Sequence, residues 1–103
     1  MTRIVIAATA DADTDAILTS LAARAGRRTA ARYHDLFERL YDHLTYHPAS
    51  LPRRPALGSR IRIGIVAPFI VIYEYDEAND TVTVLRIVHG RRKITGRMLS
   101  EFP

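Results

Sequence analysis

The sequence predicts an α+β domain: an N-terminal strand, an antiparallel helix hairpin, then a three-stranded antiparallel sheet with the helices packed on one face. Three observations carry this. Apolar residues recur at helical spacing from Ile17 to Leu44, whereas β-branched and aromatic residues dominate 60–66, 69–75 and 81–89. Between these two regimes lies Pro48–Gly58, whose three prolines make it an extended, stiff connection rather than an element.

The elements follow in order. Arg3-Ile-Val-Ile-Ala7 reads as a short first strand, and Asp11, Asp13, Thr14 and Asp15 bring capping side chains and negative charge to a helix start. Ile17, Leu18, Leu21, Ala22 and Ala25 form the apolar stripe of that helix, and Gly26 is placed to end it in a left-handed conformation. The second helix begins near Thr29, carries Tyr33, Leu36, Phe37, Leu40, Tyr41 and Leu44 on one face, and stops before Pro48. Arg60–Val66 alternates, with Arg60 and Arg62 on one face and Ile61, Ile63 and Ile65 on the other, interrupted at Gly64. The short polar insert Asp76–Asp80 then joins two strands as a hairpin.

At 103 residues the chain makes one domain, residues 1–103. It has no cysteine, which excludes disulfides, thiolate metal sites and thiol redox chemistry. There is no apolar run of membrane-spanning length and no secretory leader, so a cytoplasmic location is expected. A net charge of +4 points to an acidic partner. The charge is uneven: from Arg53 to Arg97, nine Lys or Arg stand against four acids. Its densest point is His89-Gly90-Arg91-Arg92-Lys93 at the end of the last strand, where three cations and an imidazole surround a residue tolerant of positive φ. That corner suits an anionic partner, with Arg86 on the same strand.

In the final hairpin both faces are apolar. Val71, Tyr73, Leu85 and Ile87 cannot share a face with all of Ile70, Ile72, Val82, Val84 and Val88. Two helices cover one side, so the second face needs a cover: the C-terminal segment with Met98, Leu99 and Phe102, a second copy, or a partner protein, which is favoured.

These residues resemble a known family. The order of elements, the segment Leu57–Val66, the Phe-x-x-x-Tyr of Phe69 to Tyr73 and above all Leu85-Arg-Ile-Val-His-Gly-Arg-Arg92 are similar to the ParE branch of the ParE/RelE toxins of type II toxin-antitoxin (plasmid stabilisation) systems. The resemblance implies a RelE/ParE-like fold and inhibition of DNA gyrase by binding. It further implies neutralisation by a ParD-like antitoxin, whose acidic, amphipathic C-terminal segment wraps the toxin in a hetero-oligomer. On this reading Arg86, His89, Arg91, Arg92 and Lys93 meet the target, and Ile70, Ile72, Val82, Val84 and Val88 receive the antitoxin.

The alternative is a RelE-type, ribosome-dependent and metal-independent messenger RNA endonuclease using Arg60, Arg62, His89 and Arg92. Two departures weigh against it: Ile70 stands where the third-strand Arg is expected, and no tyrosine follows Tyr75. A third possibility is an inactive module that only binds an antitoxin.

No cofactor or metal is expected. His43 and His47 lie four apart but lack a third ligand, and Asp11-Ala-Asp-Thr-Asp15 lacks the glycine and terminal glutamate of a calcium loop. The Tyr33, Phe37, Tyr41 stripe, at helical spacing beside leucines, reads as core rather than as a base-stacking surface.

Overall fold

The N-terminal strand joins the same sheet as the last three strands, and it does so in parallel with the final one. In the computed structural model, which describes residues 1–92 together with Ile94, Gly96 and Leu99, the elements are β1 (Arg3–Ile6), α1 (Ala8–Ala25), α2 (Arg27–Tyr46), β2 (Ile61–Val66), β3 (Phe69–Asp76) and β4 (Thr81–His89). The sheet order is β1-β4-β3-β2, with β2, β3 and β4 antiparallel to one another. The predicted α+β class and element order hold, as a mixed four-stranded sheet. Among the described residues no helix is long and apolar enough to cross a membrane.

The helix boundaries differ from the sequence expectation for identifiable reasons. α1 starts at Ala8, its N-cap Ala7 forming no side-chain hydrogen bond, so the aspartates fall inside the helix and are not caps. The N-terminal part of α1 instead serves the edge of β4 where β1 ends. Ala7 N–H donates to Val84 O at 2.9 Å, Thr9 Oγ1 to Leu85 O at 2.8 Å, and the Asp13 carboxylate accepts from Ile87 N–H at 2.9 Å. Each satisfies a strand group that would otherwise lack a ladder partner. Gly26 alone joins the two helices. Its φ of 94° needs glycine as expected, but its ψ of 162° lies outside the left-handed helical region, which lets α2 begin at once at Arg27 rather than near Thr29.

The core between helices and sheet contains Phe37, Leu44, Val71, Tyr73, Val82 and Val84, all essentially inaccessible. Strand β2 runs unbroken through Gly64, contrary to the predicted interruption. A Cβ on Gly64 would lie 2.9 Å from one Leu40 methyl and 3.3 Å from a Leu51 methyl. Glycine is therefore there to let α2 and the proline-rich connection approach the sheet. Gly64→Ala is expected to cost about 1–3 kcal/mol by overpacking; chemical denaturation checks it, and an unchanged midpoint would mean that the two leucines yield freely.

Tyr73 is buried with a hydroxyl that no described group bonds. Burial pushes the phenols of Tyr73 and Tyr41 up to about 12, Glu38 adding to the effect at Tyr41 while Arg62 opposes it at Tyr73. A phenol whose folded pKa exceeds the unfolded value of about 10 stabilises the fold fully below pH 10 and loses that contribution as pH rises towards 12. Stability should thus fall across that window. Tyr73→Phe should flatten the fall and, by removing an unpartnered hydroxyl, leave neutral-pH stability equal or higher; an equally steep alkaline loss in the variant would contradict this.

A register shift between Ile72 and Tyr73 divides the hairpin faces in a way strict alternation did not foresee. Tyr73 pairs with Val84 while Ile72 pairs with Arg86, so Leu85 is the extra residue and the facing pattern of β4 reverses there. Val82 and Val84, expected on the antitoxin face with Ile70, Ile72 and Val88, lie instead in the helix-side core. Ile70, Ile72 and Val88 do share the opposite face, with Ile61, Ile63 and Leu85. That face has a partial cover from the chain itself, since Leu57, Ile94 and Leu99 pack against it. Met98 and Phe102, expected to help, lie outside the described residues.

Candidate functional site

The last residues of β4 form a small, braced corner. Phe69 and His89 are register partners across β3 and β4, and their rings meet edge to face with centroids 5.9 Å apart. Tyr33 of α2 also meets Phe69 edge to face, with centroids 5.6 Å apart, and its hydroxyl donates to Ala67 O at 3.2 Å. The Val66–Phe69 pair closes a two-residue turn whose Ala67–Pro68 peptide is cis, as in type VI turns. Gly90 N–H donates to Pro68 O at 2.7 Å, and a Cβ there would lie only 3.0 Å from that oxygen, a close approach that favours glycine.

Beyond Gly90 the chain turns back on His89. Arg91 N–H donates to His89 Nδ1 at 3.1 Å and Arg92 N–H to His89 O at 2.9 Å. With Nδ1 accepting, the neutral ring carries its proton on Nε2. Arg91 and Arg92 are exposed, and among the described residues neither forms an ion pair. The corner thus presents an imidazole and two guanidiniums on a backbone fixed by hydrogen bonds. Such a set holds an anionic group through charge-assisted bonds. Lys93, assigned to the same group, lies outside the described residues.

The other predicted residues are elsewhere. Arg86 is buried against α1, its Nε 2.6 Å and its Nη2 3.1 Å from the two Asp13 oxygens, so it ties helix to strand and does not present a charge to a target. Arg62 is 8% exposed and donates from Nη1 to Leu51 O at 2.7 Å and Ala49 O at 3.1 Å, which fastens the proline-rich connection over β2. Ile63 N–H to Pro52 O and Arg54 N–H to Ile61 O complete that attachment along the outer edge of the strand. Arg60 is more than half exposed and sits 3.8 Å from Asp76 and 4.0 Å from Glu74. Asp76 in turn is held below the usual carboxylate range by the Asn79 side-chain amide, with backbone bonds and Arg60 adding to the effect against the opposing cost of burial.

Arg60 and Arg62 line a cavity with Arg53, Ser59, Tyr75, Asp76, Glu77 and Ala78 at the far end of the sheet. The Arg60 carbonyl accepts from Tyr75, whereas His89 pairs with Phe69, six residues away along β3. At about 3.3 Å per residue that is about 20 Å. Arg62, paired with Tyr73, stands about 13 Å away on the same measure, so the four residues of the nuclease alternative are divided between two separate places along the sheet. General acid–base work needs its groups within hydrogen-bond reach of one reacting centre, and these are not.

Tyr33 is the member of the corner that sequence reasoning missed. Its place in an apolar helical stripe made it core, and only the fold shows that the stripe's N-terminal end meets the β2–β3 turn. At the other end of α2 the His43 and His47 rings lie 5.1 Å apart, with His43 Nε2 2.8 Å from Ser50 Oγ. Among the described residues no group of three potential metal ligands occurs.

Two solved structures share the fold. The chromosomal ParDE toxin-antitoxin system from P. aeruginosa aligns with a TM-score of 0.71 at 20% identity, over 86% of this chain and 96% of that one. The toxin-antitoxin complex RelBE2 from Mycobacterium tuberculosis aligns with a TM-score of 0.60 at 20% identity, over 85% of this chain and 96% of that one. No curated protein matches the chain. The model of the ParE toxin of the type II toxin-antitoxin system parDE matches residues 4–94, from the first strand through the braced corner and beyond it. With nearly the whole fold inside that match, the chain belongs to the ParE toxin family of type II toxin-antitoxin systems.

Proposed function

We propose that this toxin acts in the cytoplasm by binding DNA gyrase through the His89–Arg92 corner, without catalysing a reaction. The observation that carries the proposal is the separation along β3 of Arg60 and Arg62 from the His89 corner, about 20 Å and about 13 Å respectively, which leaves cations for holding a target but no assembled acid–base centre. Gyrase as the target comes from the resemblance to the ParE branch. The RelE-type alternative gains no support from the geometry.

The antitoxin partner of this reading occupies the second sheet face through Ile70, Ile72 and Val88, with Ile65 beside them. Ile65 is 64% exposed on edge strand β2, the largest apolar exposure on the sheet. Crystallised relatives described as a toxin-antitoxin system and a toxin-antitoxin complex support such a partner. An amphipathic segment there has to share or displace the positions of Leu57, Ile94 and Leu99. The test is supercoiling of relaxed plasmid by purified gyrase with the toxin titrated in and cleaved DNA scored. Loss of supercoiling with accumulating cleaved complexes is expected; unperturbed gyrase would overturn the reading.

A further inference from the structure

The outer face of α2 carries an arginine stripe that the proposed gyrase and antitoxin contacts do not use. Arg28, Arg32, Asp35 and Arg39 follow one another at i, i+4, i+7 and i+11, hence on one side of the helix, and surround a shallow depression over Ala31 and Leu36. From Arg28 to Arg39 the stripe runs about 16 Å at 1.5 Å per residue. Arg24 and Arg27 stand at the adjoining α1–α2 junction. All five arginines are exposed, and among the described residues none forms an ion pair. Asp35 is the one acid lining the depression, and its neighbour within ion-pair distance is His34 at 3.5 Å.

We infer that this face holds the phosphate backbone of a double-stranded nucleic acid. Charge decides the sign of the partner. Composition decides its class: an acidic peptide in a groove needs apolar anchors at successive turns, and here only the Ala31 methyl and a half-buried Leu36 are on offer. Single strands bind by stacking bases on aromatic rings, whereas Tyr33, Phe37 and Tyr41 of α2 turn into the core and the exposed Tyr46 stands at the end of the helix, about 10 Å beyond Arg39 and outside the depression. Guanidiniums spaced along one side of a helix, three of them against the single acid Asp35, suit phosphates read without regard to sequence.

The test uses the full chain and no gyrase, so that it stands or falls apart from the supercoiling assay. Anisotropy of labelled 30-base-pair DNA and RNA duplexes is measured against salt for three proteins. These are the wild type, the triple variant R28Q/R32Q/R39Q, and the control R3Q/R53Q/R54Q, which removes the same charge from other exposed positions. The stripe variant is expected to bind at least tenfold more weakly, with a salt slope smaller by about 3 for three lost phosphate contacts. The control should stay within about threefold, and the tighter duplex names the source of the phosphates. Equal losses in both triples, or none in the stripe variant, would overturn the inference. So would stripe-dependent capture of polyglutamate as tight as that of either duplex, which would assign the face to an acidic protein. Circular dichroism of each variant guards against loss of the helix, and the wild-type salt slope is informative by itself.

Discussion

Asp13→Ala is expected to destabilise the fold by about 3 kcal/mol or more, the cost typical of removing one partner from a buried ion pair. For a domain of this size that is a fall in melting temperature of roughly 10–20 °C. The carboxylate does two jobs at once. It receives the Arg86 guanidinium through two bonds, with side-chain exposures of 11% for Arg86 and 18% for Asp13, and it accepts the Ile87 N–H that no strand reaches. Alanine strips a buried cation of its carboxylate and orphans a backbone donor together. Asp13→Asn, which keeps acceptor capacity without the charge, should fall between the two. Thermal denaturation followed by circular dichroism measures all three; a shift under about 3 °C for the alanine variant would show that the pair behaves like an exposed one.

Charge reversal at Arg91 and Arg92 should abolish growth inhibition and raise the concentration needed to poison gyrase by at least a hundredfold. Melting should be nearly unaffected, because the corner is braced by backbone groups of these residues and their exposed side chains contribute no ion pair among the described residues. Arg60→Glu supplies the contrast. It carries the same reversal at a single residue towards the other end of the sheet, half the charge change of the double variant, and it should leave gyrase inhibition within a few fold of wild type. A toxic Arg91/Arg92 reversal would remove the corner from the mechanism, and an Arg60→Glu variant that loses all activity would return weight to a surface spanning both ends.

The sequence and the structure agree wherever a local pattern is sufficient. Apolar periodicity placed both helices, and β-branched runs placed β2, β3 and β4 to within one residue or so. Where they part, a distant residue had the deciding vote. Asp13 looks like a cap because it sits near a helix start, yet its partner is 73 residues away. Arg86 looks like part of a basic surface until that partner is known. Val82 and Val84 were misassigned by one inserted residue, and nothing in the string Thr81–Val88 announces that Leu85 is bulged. Arg62 shows the same limit from the other side: alternation gave its face correctly, but only the path of the proline-rich connection makes it a tether.

The place of β4 between β1 and β3 has a consequence for when the molecule exists at all. The strand that completes the sheet is made last, and it bonds to the strand made first, with Arg3 aligned to Thr81 and Ile6 to Val84. Until residues 81–89 leave the ribosome, β1 has no neighbour in the sheet and the helix hairpin lacks half of its floor. Contacts this distant in sequence are slow to form. On the proposed reading, in which the His89–Arg92 corner meets the target, a nascent chain cannot act before β4 has emerged and joined β1.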